Sequence, residues 1–178
     1  MNNALAIGRT PWGRADHRSD VAKGIVRVST SSHGGYYITP AKMADMPAAL
    51  RAIRSPYVDA THPAVGGFGL GWYEEDCDWI IVALAFPEHF PQDALTAAIA
   101  MARNARQPGT SYVAYLAPAG AWLDSDDPRA KQVHYLASLD EISRERYAAA
   151  LARHDGQPVY GPLAAVARND AEDAQRGI

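Results

Sequence analysis

Cysteine is nearly absent. Cys77 stands alone among 178 residues, so no disulfide can form within the chain. Long hydrophobic runs are missing too. The longest strongly apolar stretch, Trp79 to Phe86, is far short of the roughly 20 residues that a membrane helix needs. Met1 to Gly13 holds no apolar run of signal-peptide length. The expectation is a soluble, cytoplasmic chain without membrane contact. There is no G-x-S-x-G, no H-E-x-x-H, and no Walker or kinase pattern, so the commonest enzyme signatures do not apply. No unit recurs at the roughly 20–50-residue spacing of repeat proteins.

What is present is ordinary in amount and uneven in placement. Apolar residues make up 48% and charged residues 21%, which excludes a disordered or collagen-like chain. The length fits one domain, expected over 11–168, with a flexible arm at 1–10 and a frayed tail at 169–178. The formal charge of -3 hides a division. Residues 1–54 carry eight basic and three acidic side chains, and the remainder carries nine basic and seventeen acidic ones. Arginine outnumbers lysine fourteen to three.

Residue patterns predict an α+β fold, because strands and helices mix without regular βαβ alternation. Ile25, Val26 and Val28 read as a strand, Thr30 to Gly35 as a six-residue turn, and Tyr36 to Thr39 as the returning strand. Thr39-Pro40 reads as a helix cap with proline in the first turn. Pro47 splits the segment that follows, with Asp45 capping the second piece. Asp59 to Gly71 reads as a loop. Tyr73, Cys77, Ile80, Ile81 and Leu84 form one apolar stripe, which predicts a helix over 73–86. Pro91 opens a further helix carrying Leu95, Ala98, Ile99 and Ala102. Strands are expected at 112–116 and 133–137, with a short one at 121–123. Ser138 to Glu141 fits a capping box opening a helix that ends near Arg153. The whole is a small antiparallel sheet, comprising the hairpin at 25–39 and these later strands, packed against about four helices.

Two segments carry candidate chemistry. His33 lies in a hairpin turn followed by Gly34 and Gly35, where it can serve as a general base, a metal ligand or an anchor. Glu74, Glu75, Asp76 and Asp78 form an acidic helix start, which the helix dipole favours and which can also hold a cation. On a helix Glu74 and Asp78 share a side, so a second loop must complete any site there. His33 is the best candidate to approach it. Three carboxylates in a first turn argue against phosphate on the glycine run 66–71. Asp76 and Asp78 should raise the pKa of Cys77, which reads as a buried, inert thiol. One cysteine and scattered histidines show no paired zinc-ligand spacing, so no metal and no cofactor are assigned. His17, His62, His89, His134 and His154 read as incidental, and Trp12, Trp72, Trp79 and Trp122 as core or rim aromatics.

Thr10-Pro11-Trp12-Gly13, Val28-Ser29-Thr30 running into His33-Gly34-Gly35-Tyr36, and Trp72-Tyr73-Glu74-Glu75-Asp76-Cys77 resemble an uncharacterised domain family. That family occurs in small accessory and large polyvalent proteins of proteobacterial plasmids and phages. The resemblance covers about residues 10 to 90. It implies a mobile-element accessory protein, with counter-defence or regulation through binding a host protein or protein complex. Trp12, His33, Gly34, Gly35, Tyr36, Trp72, Glu74, Glu75 and Asp76 are the expected binding residues. The alternative is a small hydrolase or transferase, with His33 as base and Glu75 or Asp76 orienting it or holding a metal. Nucleic-acid binding through the basic first third is a further alternative.

Overall fold

The β-branched run at 25–28 forms the centre of a four-stranded sheet. In the computed structural model, which describes residues 8–55, 71–109 and 111–153, the strand order is β3 (His17–Ala22), β4 (Ile25–Ser29), β5 (Gly34–Ile38), β6 (Trp72–Glu74). All three pairings are antiparallel. A separate two-stranded ribbon, β1 (Arg9–Thr10) and β2 (Gly13–Arg14), precedes it. Arg9 and Thr10, within the arm expected at 1–10, form β1, and residues 1–7 lie outside the described residues. Thr10 Oγ1 donates to the Gly13 carbonyl at 3.0 Å and accepts from the Trp12 amide at 3.1 Å, which closes the Thr-Pro-Trp-Gly turn.

Side chains alternate across the sheet. Ile25, Ile38 and Tyr73 join the main core, while Val26, Val28 and Trp72 form a second cluster with Trp12 and Tyr37. The main core is helical. α1 (Pro40–Met43) and α2 (Ala48–Arg51) follow the sheet, and α3 (Trp79–Ala85) is buried at every position from Ile80 onward. A short helix that is apolar all round belongs in the centre of a core. α4 (Gln92–Asn104) buries Leu95, Ala98, Ile99 and Ala102, the stripe that the sequence predicts. α5 (Ala117–Leu123), α6 (Pro128–Ser138) and α7 (Glu141–Arg153) complete the chain as described. The fold is α+β, a small antiparallel sheet packed against helices as the sequence predicts, with seven helices among the described residues.

Several local expectations are corrected. The hairpin turn has four residues, 30–33, because Gly34 and Gly35 belong to β5 and pair with Ser29 and Val28. The segment 112–116 is a 3-10 turn. Val113 and Leu116 are buried three residues apart, with Ala114 exposed and Tyr115 half-buried between them, which is a period of three and not of two. The short strand at 121–123 lies in α5, and that at 133–137 in α6. Ala130, Val133 and Leu136 are buried at helical spacing, and Asp127 caps the Arg129 amide at 2.8 Å just before Pro128. Asp45 pairs with Lys42 at 3.3 Å, and Pro47 occupies the cap position of α2. At α7 the capping residue is Asp140, which accepts from the Ser143 amide at 2.8 Å, while Ser138 Oγ donates back to Tyr135. Most of the segment expected to be a loop at 59–71, His62, His154 and the tail expected at 169–178 lie outside the described residues.

The helix expected at 73–86 is two elements. Trp72–Glu74 joins the sheet, a turn spans 75–78, and only then does α3 begin. Burial of Tyr73 and Cys77 fits either reading, which is why the apolar stripe extends across the junction.

Candidate functional site

The site is assembled where the β4–β5 turn meets the end of β6. Thr30 fixes the turn: its amide donates to the His33 carbonyl at 2.7 Å, and its hydroxyl accepts from the His33 amide at 3.1 Å. His33 is thereby held at the tip with its side chain exposed. On the neighbouring strand Glu75 continues the ladder beyond β6, its amide donating to the Gly34 carbonyl at 3.1 Å. Its carboxylate lies across Gly34, in space that a Cβ there would occupy.

Glu74 is buried, and its Oε2 accepts from the amides of Asp76 at 2.7 Å and Cys77 at 3.1 Å. Burial pushes the Glu74 carboxyl above its ordinary range. The two amides oppose that shift, and the charges of Asp76 and Asp78 add to it. Asp78 is fully buried and supports the turn from behind. It accepts from the Tyr115 hydroxyl at 2.5 Å and the Glu74 amide at 3.4 Å. Burial raises its pKa, against hydrogen bonds from Ser55, Tyr115 and the Glu74 amide. The 75–78 turn is thus stapled by its own carboxylates, so Glu74 and Asp78 are structural as well as acidic. Sequence spacing has no signal for Tyr115, which lies 37 positions from its partner.

The imidazole of His33 and the carboxylates of Glu74 and Glu75 each offer one donor atom within 4.8 Å of the others. The His33 ring makes no hydrogen bond or ion pair with either carboxylate. The groups converge without touching. A tetrahedral zinc ion holds nitrogen and oxygen donors at about 2.0–2.2 Å, so any two of its donors stand roughly 3.4 Å apart. The trio, whose donor atoms lie within 4.8 Å of one another, must close further to hold an ion. It is too open for direct histidine–carboxylate pairing.

The other expected binding residues are placed elsewhere. Asp76 is exposed and lies outside the trio. Trp12 packs edge-on against Trp72 at 5.7 Å and covers Gly35, where a Cβ would stand 2.5 Å from its Cη2. Tyr36 faces the helices, 5.6 Å from the Phe90 ring. These residues build the sheet's two faces. Cys77 is buried, and burial followed by the charges of Glu74, Asp78 and Asp76 raises its pKa. His89 stands 3.5 Å from Glu88, and His134 bonds the Leu123 carbonyl at 3.2 Å, so both have structural partners. Arg9 and Arg14 on the ribbon, Lys23 between β3 and β4, and Arg27 on β4 are exposed, and Arg18 pairs with Asp20 at 2.7 Å.

A family model matches residues 6–134, most of the chain. The chain belongs to the DUF7007 family, a domain of unknown function. No curated protein and no solved structure matches it. The DUF7007 region includes the ribbon, the sheet and the whole His33–Glu74–Glu75 trio, and it reaches into α6. It extends well past residue 90, the limit expected from the motifs. α7 follows it.

Proposed function

We propose that the chain is a small hydrolase or transferase that works with a divalent metal ion held by His33, Glu74 and Glu75. The convergence of three donors within 4.8 Å, with no direct pairing of the imidazole, carries this reading. One nitrogen and two carboxylate oxygens suit zinc or manganese. Three protein ligands leave a position for water, whose pKa such an ion lowers toward about 7. The role first expected for Asp76 falls to Glu74, since β6 turns the Glu74 side chain toward the turn that His33 tips.

The test is calorimetric titration of zinc and of manganese into the metal-free protein, alongside His33→Ala and Glu75→Gln. One ion per chain is expected, with affinity at least about tenfold weaker in either variant. Hydrolysis of an activated phosphate ester and of an activated carboxylate ester should depend on the added ion. Absence of stoichiometric binding would sink the metal site. Binding without turnover would sink the enzymatic part alone.

A second reading is a mobile-element protein, of counter-defence or regulatory type, that binds an acidic surface of a host protein. The exposed Arg9, Arg14, Lys23 and Arg27 favour it, as does the outer edge of β3, which pairs with no strand among the described residues. A partner captured by the wild type and by His33→Ala, but not by Arg14→Glu/Arg27→Glu, would support it. Capture indifferent to the arginines would exclude it.

A further inference from the structure

Glu74 is the buried member of the trio, only 8% exposed, whereas His33 and Glu75 are exposed. Its two carboxylate oxygens are used unequally. Oε2 accepts from the amides of Asp76 and Cys77. Oε1 makes no hydrogen bond or ion pair among the described residues. It is not sealed in the core either, because no enclosed side-chain oxygen or nitrogen among those residues lacks a partner. A carboxylate more than nine-tenths buried therefore keeps one oxygen free, in the group where His33 and Glu75 also offer donor atoms. Burying an acceptor and leaving half of it unmatched is costly unless something else binds it.

Glu74 is held at its backbone as well as at its side chain. Its amide donates to Asp78 Oδ2 at 3.4 Å, and Asp78 Oδ1 accepts from the Tyr115 hydroxyl at 2.5 Å. Ser55 is a further hydrogen-bond partner of Asp78. Tyr115 stands on the 3-10 turn 111–116 and is not one of the trio. A chain of contacts thus runs from Tyr115 through Asp78 to Glu74, and the two turn amides then fix which oxygen of Glu74 is left over. Asp78 is fully buried, so this chain has little freedom to shift.

We infer that Tyr115, acting through Asp78, is a positioning residue that presents Glu74 as a one-oxygen ligand, and that the site is thereby built for zinc in preference to manganese. This rests on the metal-ion reading given above and narrows it. Zinc in a catalytic site takes three single protein donors and a water. Manganese favours six donors, mostly oxygen, which asks a carboxylate to turn and offer both of its oxygens. Glu74 cannot do so without giving up the amides of Asp76 and Cys77. Without the Tyr115 hydroxyl, Asp78 gains room to move, and the Glu74 amide moves with it. The precise four-coordinate arrangement suffers most, and a looser six-coordinate one suffers less.

The test titrates zinc and manganese into the metal-free full chain, as wild type, Tyr115→Phe and Tyr135→Phe, the last removing a hydroxyl from an exposed ring elsewhere. Cobalt is added as a coloured stand-in for zinc, since four-coordinate cobalt absorbs visible light intensely and six-coordinate cobalt weakly. Wild type should give the intense spectrum. Tyr115→Phe should weaken zinc about tenfold and manganese by less than about threefold, and should dim the cobalt band. Tyr135→Phe should match wild type. Asp78→Asn has one acceptor oxygen in place of two, so it loses the Tyr115 or the Glu74 bond and should behave like Tyr115→Phe; it decides the matter if Tyr115→Phe does not fold. A weak, six-coordinate cobalt spectrum in wild type, unchanged zinc affinity in the folded variants, or an equal loss of zinc and manganese overturns the positioning role and leaves the metal site standing. Failure of wild type to bind any of the three ions removes both.

Discussion

The Glu75 carboxylate occupies the place where Gly34 has no side chain. This relationship gives the His-Gly-Gly run its purpose: the first glycine leaves room for a carboxylate to lie across the strand beside the His33 turn. A Cβ on Gly34 would also stand 2.9 Å from the Val28 carbonyl oxygen, which is backbone and cannot swing aside. Gly34→Ala should therefore cost about 1–3 kcal/mol by overpacking. It should also displace Glu75 and weaken zinc binding at least about tenfold. Urea unfolding and calorimetry on the same sample read both effects. Unchanged zinc affinity in a folded Gly34→Ala protein would remove Glu75 from the ligand set.

The second glycine serves the opposite face. Trp12 lies over Gly35 and edge-on to Trp72, so the β1–β2 ribbon covers the cluster of Val26, Val28 and Trp72. Trp12→Ala strips that cover and should destabilise the protein by about 2–3 kcal/mol, below the ~3–5 of a fully buried aromatic because the ring is half-exposed. Hydrogen exchange should speed up in 9–14 and along β4 while α3 and α4 stay protected. A variant equally protected in the ribbon would show that Trp12 is not its anchor.

These two glycines also show how far sequence reasoning reaches. The hairpin was legible because Ile25, Val26 and Val28 have no helical alternative beside a Thr-Ser-Ser turn, and Thr39-Pro40 marks the next helix by local chemistry. Trp72 to Asp78 was only half legible. Its apolar positions fit a helix, and the ladder that overrides this pairs it with Gly35 to Tyr37, 35 to 39 positions away in the chain. The change from helix to strand re-aims each carboxylate, so Glu74 and not Asp76 joins His33 and Glu75 in the cluster. Residues 112–116 and 133–137 misled because β-branched and aromatic side chains also suit buried helix faces. Tyr115 was invisible, since its partner Asp78 is chosen by tertiary packing alone.

Asp78 makes stability depend on pH in an unusual direction. Its folded pKa lies above the ordinary 3.8, so the folded state binds more protons than the unfolded state between those two values. Stability from this group is fully present below about 3.8 and is lost as pH rises through the raised folded value. Glu74, also raised, acts in the same sense. Asp78→Asn removes the Asp78 contribution, so wild type should gain on the variant as pH falls from 7 toward 4. Parallel stability curves for the two proteins would falsify this assignment.

Cys77 offers a kinetic check on the same turn. The thiol is buried, and its pKa is raised first by burial and then by Glu74, Asp78 and Asp76. Thiolate is the reacting form, so both exposure and ionisation are suppressed. Native protein should react with a disulfide reagent many times more slowly than urea-unfolded protein. Because the Glu74 carboxylate holds the Cys77 amide, reactivity should report opening of the 75–78 turn. Zinc bound at Glu74 and Glu75 should restrain that opening and slow labelling further, whereas in His33→Ala the metal should have little effect. Rapid labelling of the native protein would mean that the turn is not held closed by its own carboxylates. Zinc protection that survives in His33→Ala would place the ion at other donors.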